Sequence, residues 1–246
     1  MLNYLNHCDT PRRMQSVRVL KDGRHMHVRL ATEADIPVIL RQFCPGISLA
    51  RCGQVGRAIG AFKSWLYITS PCAWIFSGWV EGELAGVVYC TDRPQAVRRA
   101  ALSPAALRWI AKQLFGRKAL DGLRVLLWGL RQCLTTLAAR FRSHRRTARD
   151  ERSHEPADLR QGWVTDMWTS PAFRRLGVAQ TLLHEAEETL RARGARCVTL
   201  YVKRHNADAI ALFSKSGYAK ARLVGSGSAE SWLMVKELPC VNEATQ

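Results

Sequence analysis

From residue 161 onward the chain alternates strand-like and helix-like runs with little between them, and this restricts its folds more than any other feature. Residues 163–169 read as a strand. Residues 177–193 read as a helix stopped by Gly194, with Arg191 and Arg193 in the last turn, where cations complement the helix dipole. Residues 196–202 read as a second strand, and residues 206–216 as a short helix closed by Gly217. Strand, crossover helix and strand imply a parallel pair with a right-handed connection. Residues 219–224 and 231–237 read as a closing strand pair.

The first part of the chain supplies the other half of such a sheet. From His27, His-Val-Arg-Leu-Ala alternates like a strand. Thr32 opens Thr-Glu-Ala-Asp, a helix-start signature with an acid three places on, followed by Ile36, Ile39, Leu40 and Phe43 at helical spacing. Residues 54–68 carry Val55, Ile59, Phe62 and Leu66 on one face of a second helix. Residues 73–80 and 84–91, around Glu-Gly-Glu, read as a hairpin. Residues 1–25 lack a period and are read as an extension of a domain spanning 26–246.

Charge is the unusual part of the composition. The 246 residues hold 37 Lys and Arg against 20 Asp and Glu, a formal net charge of +17, which favours anionic partners. The eight cysteines are scattered without a C-x-x-C pair, so no metal site is expected and they read as reduced thiols. The start lacks a secretory pattern and the longest apolar run, residues 125–130, is far short of a membrane span, so a cytoplasmic location is expected.

Two motifs bear chemistry. Pro171-Ala172-Phe173-Arg174-Arg175-Leu176-Gly177-Val178-Ala179 turns the strand ending at Thr169 into a helix. Free N–H groups at such a start, basic residues before it and a glycine for close approach form an anion cradle. Thirty-two residues after Arg174 comes Asn206-Ala207-Asp208-Ala209-Ile210-Ala211-Leu212-Phe213-Ser214-Lys215-Ser216-Gly217-Tyr218. In the order and spacing of these two motifs the chain resembles the GNAT superfamily of N-acetyltransferases, over about residues 26–92 and 161–238.

The resemblance implies a mixed α/β fold: a central sheet of six to seven strands, splayed where acetyl-CoA enters and flanked by helices. It implies acetyl transfer from acetyl-CoA to a primary amine of a small molecule or sugar derivative. The alternatives are a protein N-acetyltransferase, or a catalytically weak CoA-binding module. The main chain of Met167, Trp168 and Thr169 would bond pantetheine and polarise the thioester carbonyl. The N–H groups of Arg174, Arg175, Leu176, Gly177, Val178, Ala179 and Gln180 would hold pyrophosphate, and Asn206, Phe213 and Lys215 would flank the pantetheine arm. The family often has a tyrosine where this chain has Phe213, so either another group protonates the leaving thiolate, for which Tyr201 is the nearest candidate, or the reaction runs slower without an acid. Asp166 and His205 are the candidates for the base.

Residues 93–160 interrupt this pattern. They hold 16 Lys and Arg against 5 Asp and Glu, which places +11 of the charge here. Ser103-Pro104 starts a short helix through Leu107, Ile110 and Leu114, and Leu120, Leu123, Leu127, Leu130, Leu134, Leu137 and Phe141 form an amphipathic seam. Beyond residue 142 the composition is that of a linker. Three roles are open to this insertion. It packs on the core or on a second copy as a homodimer; it lies on an anionic membrane with Trp109 and Trp128 at the boundary; or residues 103–146 recruit an acidic partner. Nucleic acid is the least favoured.

Overall fold

The structure, a computed structural model, describes residues 15–43, 54–115, 127, 161–225, 227 and 230–239. Its centre is the apolar hairpin of β3 (Ala73–Val80) and β4 (Glu83–Thr91), turned by Glu81 and Gly82, both with positive φ. Almost every residue of these strands is buried, as a continuous apolar run covered on both faces requires. Around them β1 (Gln15–Val19), β2 (His25–Leu30), β5 (Gln161–Thr169), β6 (Cys197–Lys203), β7 (Ala219–Val224) and β8 (Ser231–Glu237) complete one eight-stranded sheet. The order is β1-β2-β3-β4-β5-β6-β8-β7. Only β5 and β6 are parallel; the other neighbours are antiparallel.

The helices are α1 (Ile36–Gln42), α2 (Gln54–Thr69), α3 (Pro94–Ala100), α4 (Pro104–Phe115), α5 (Val178–Ala192) and α6 (Ala207–Lys215). Alternate residues of the central strands divide the core between two faces. Ile75, Val87 and Tyr89 pack with Ile39 of α1 and Tyr67 of α2. Phe76, Val88 and Val164 pack with Leu182 and Leu190 of α5. Helix α5 lies close because glycines underlie it. A Cβ on Gly86 would meet the Trp168 carbonyl oxygen at 2.8 Å, and one on Gly162 would meet Leu190 at 2.8 Å. Ahead of α1, the acid of the Thr32 signature works as expected: Asp35 accepts the Thr32 N–H at 2.8 Å and grips Arg29 through both oxygens.

This is the expected splayed, mixed sheet with one strand more than six to seven. The additional strand is β1, within the stretch read as an extension; it runs antiparallel to β2 from Gln15 opposite Arg29 to Val19 opposite His25. Ser16 and Arg18 both donate to Glu185 of α5 at 2.9 Å. Val17 and Val19 are exposed, so β1 has no buried apolar face for a sequence pattern to register.

The described start of the insertion packs on the domain. Helix α4 begins where Ser103-Pro104 placed it, with Ser103 Oγ accepting the Ala106 N–H at 3.2 Å. Ala106 and Ile110 join Ala58, Phe62 and Leu66 of α2 in a third apolar cluster. Trp109 lies 5.4 Å from the Phe62 ring and 5.7 Å from Trp65, so it packs against α2. The seam from Leu120 to Phe141, Trp128 and the linker lie outside the described residues, apart from Leu127, which is exposed. Among the described residues no helix is long and apolar enough to cross a membrane.

Candidate functional site

Strand β5 has two neighbours along its first half and one along its second. Gln161 to Val164 pair in parallel with Cys197 to Leu200 of β6, and that ladder then stops. Farther on, Met167, Trp168 and Thr169 stay opposite Val88, Val87 and Gly86 of β4, while Tyr201, Val202 and Lys203 pair with β8. The parallel strands therefore part after Val164 and Leu200. A gap opens there with the main chain of residues 165–169 on one side. A bulge sits at its apex: Tyr89 faces Asp166 and Cys90 faces Val164, leaving Thr165 as the extra residue.

At the end of β5 the chain turns through a short 3-10 segment, Pro171–Phe173, into α5. Phe173 is buried with the Arg24 guanidinium over its ring, and the Ser170 N–H donates to Ala85 O at 2.8 Å. The Lys21 N–H donates to Leu176 O at 3.2 Å, so the turn is anchored on both sides. Within it Arg175 has φ 63° and Gly177 φ 96°, both left-handed. A Cβ on Gly177 would meet nothing within 4 Å, so glycine is needed for the backbone angle and the main chain there is open. The Thr181 N–H bonds Gly177 O at 3.0 Å, which leaves the N–H groups of Val178, Ala179 and Gln180 ahead of the first helical bond. Arg174 and Arg175 are exposed beside them. The positive dipole end, the N–H groups of the first helical turn and two guanidinium side chains give this turn the groups an anion would need.

The second motif borders β6. Asn206 caps α6, its Oδ1 accepting the Ala209 N–H at 3.2 Å, which leaves its NH₂ as the donor end. His205 and Lys215 are exposed. Phe213 is a core residue, 6% exposed and edge-on to Tyr218 at 5.8 Å. Tyr201 stands on the opposite face of the sheet: its neighbours Leu200 and Val202 join the α5 core, while its ring lies 5.9 Å from Trp163 and is half exposed.

The sheet face covered by α2 carries a further set of titratable groups beside β5. Asp166 shares the Tyr89 face and accepts a hydrogen bond from Lys63 Nζ of α2. Lys63 lies 5.7 Å from the Tyr67 ring centre and 5.8 Å from that of Tyr89. The Tyr67 hydroxyl meets Thr165 Oγ1 at 3.0 Å, and the Tyr89 hydroxyl meets Ser64 Oγ at 2.8 Å. Burial pushes Tyr67 up to about 12 and Tyr89 higher, with the Asp166 charge adding to both, so these phenols stay protonated. Sequence reading found Asp166 and missed Lys63, Ser64 and Tyr67. The one available signal was the four-residue spacing of Lys63 and Tyr67, which puts both on one side of α2.

Comparison with known proteins agrees with this geometry. Residues 138–218 match the model of the acetyltransferase (GNAT) family. N-alpha-acetyltransferase 20 of Dictyostelium discoideum is 37% identical over 82 residues, 32% of this chain and 47% of that protein. The chain thus spans about half the length of this relative. Among solved structures, the GNAT domain of S. lividans PAT aligns with 91% of this chain and 97% of its own at 16% identity, TM-score 0.54. The PaiA N-acetyltransferase of Thermoplasma acidophilum, solved with coenzyme A, aligns with 87% of this chain and 99% of its own at 11% identity, TM-score 0.51. These two likenesses concern the fold.

Proposed function

We propose that this chain is a GNAT-type N-acetyltransferase that moves an acetyl group from acetyl-CoA to a primary amine of a small molecule. The observation that supports this most is the meeting of two features at the end of β5. The strands part after Val164 and Leu200, and the gap they leave ends at the anion cradle of α5. A pyrophosphate fits that cradle by its donor set: open main chain at Gly177, helix-start N–H groups from Val178 to Gln180, and the Arg174 and Arg175 side chains.

In this reading the cradle holds the diphosphate, the Asn206 amide and the main chain of Met167 to Thr169 steady the pantetheine arm, and the same strand edge offers donors to the acyl carbonyl. Acetyl-CoA supplies an activated acyl carbon with a thiolate as its leaving group. Holding an amine against that carbon removes much of the entropic part of the barrier. Asp166 takes the proton the amine must lose, directly or through water. Tyr201 and His205, both exposed beside the gap, are the remaining candidates for proton transfer. A protein amine is the second reading, favoured by the likeness to an N-alpha-acetyltransferase. Incubation with acetyl-CoA and a panel of amines, reading released thiol, tests the proposal. Amine-dependent release is expected; its absence across small amines and peptide N-termini contradicts it.

A further inference from the structure

We propose that the acceptor is a small zwitterion, an amine with a carboxylate or phosphate on the same molecule, read by Asp166 and Lys63 together. This rests on the acyltransfer reading and adds the acceptor's charge pattern to it. The Asp166 carboxylate, the candidate base at the apex of the gap, is engaged by Lys63, with side-chain exposures of 9% and 29%. A purely cationic acceptor would place a second ammonium on a carboxylate that already holds one, and like charges repel.

Among the described residues, the neighbouring charges and hydroxyls are already engaged. Arg98 of α3 adds a second positive influence at Tyr67. Asp35, a buried acid among the described residues on this side of the sheet, is bound by Arg29 through both oxygens, at 2.6 and 2.7 Å, and by Thr32. The Tyr67 and Tyr89 hydroxyls are engaged with Thr165 and Ser64, so that wall is polar but internally bonded. An acceptor that carries its own anion resolves the conflict: its ammonium goes to Asp166 and its anion to Lys63, replacing one internal ion pair by two across the interface. Such charge-assisted bonds are the stronger kind and fix orientation as well as affinity. Lys63 is then a specificity-determining residue, and polycations such as polyamines are poor acceptors.

Matched acceptor pairs that differ only in the anion provide the test: α-amino acids against their amides, and glucosamine 6-phosphate against glucosamine. In the unmodified protein the anionic member of one pair should have the higher kcat/KM by about 10- to 100-fold, the range of a charge-assisted bond. The pair that shows it distinguishes carboxylate from phosphate. In Lys63→Gln that advantage should collapse toward unity, while Lys63→Arg should keep most of it. No preference in either pair, or a preference that survives Lys63→Gln, overturns the proposal, and the unmodified protein alone decides the first even if the variant does not fold. Turnover indifferent to the anion contradicts this inference and leaves the acyltransfer reading standing. Failure to bind acetyl-CoA contradicts both.

Discussion

Phe213 occupies a position where the GNAT acetyltransferases that this chain resembles often have a tyrosine, and its surroundings show where the ring goes. Its ring is buried edge-on against Tyr218, whose hydroxyl donates to Glu187 at 2.9 Å, and Glu187 takes Lys236 on its other oxygen at 2.6 Å. The position serves packing, and in the proposed reaction this side chain supplies no proton to the thiolate. A thiol's ordinary pKa of ~8.5 makes the thiolate a tolerable leaving group. Asp166 has the more demanding task. Asp166→Asn should lower turnover by about 10²- to 10⁴-fold with little change in acetyl-CoA affinity, since it removes a proton acceptor and leaves the cradle intact. Unchanged turnover removes Asp166 from that role. A second carboxylate tests the fold. Burial alone would raise Asp35, but the Arg29 guanidinium and the Thr32 donors outweigh it and hold the group below its usual range. A depressed carboxylate stabilises the folded state above its unfolded pKa of about 4 and loses that contribution as pH falls through the folded value. Asp35→Asn should therefore cost about 1–3 kcal/mol in denaturant unfolding near neutral pH. The gap between variant and parent should narrow below about pH 4.

At the scale of elements, the position of the cradle depends on how closely α5 approaches the sheet. Gly86→Ala places a methyl 2.8 Å from the Trp168 carbonyl oxygen and 3.0 Å from Val178 and Leu182. The clash includes backbone, so β5 or α5 must shift, and a cost of about 1–3 kcal/mol is expected in denaturant unfolding, with weaker acetyl-CoA binding. Unaltered stability would mean that the close approach is not needed. Elements with a strong local code were readable in the sequence. The β3–β4 hairpin, the start of α5 at residue 177, the glycine stop at Gly194 and the start of α6 at residue 206 all lie where pattern and turn chemistry put them. Strand β1 was not readable because its side chains are mostly exposed; its nearest signal was Asp22-Gly23, whose glycine has φ 84° in the turn to β2. Helix α3 is short and Arg-rich, without an apolar repeat to announce it. The Lys63–Asp166 pair was out of reach for another reason. It joins residues 103 positions apart, and local periodicity carries nothing about which distant side chains a fold brings together.

For the whole molecule, the sheet does two jobs along one strand. Antiparallel pairing with β4 holds β5 over most of its length, and loss of the β6 ladder after Val164 opens the gap. The core on one face fixes α5 and thus the anion cradle, while the core on the other fixes α2 and thus Lys63 opposite Asp166. Helix α4 extends that second side by packing on α2, so the basic insertion begins beside the wall where an acceptor would enter. All of this rests on acetyl-CoA entering between β5 and β6. Calorimetric titration with acetyl-CoA, of the unmodified protein and of the double variant Gly177→Glu with Asn206→Ala, tests that claim most directly. Saturable binding that the folded double variant lacks is the expected result, because a carboxylate at the cradle repels diphosphate and the cap amide is gone. No binding by the folded unmodified protein, or equal binding by both, would contradict the account.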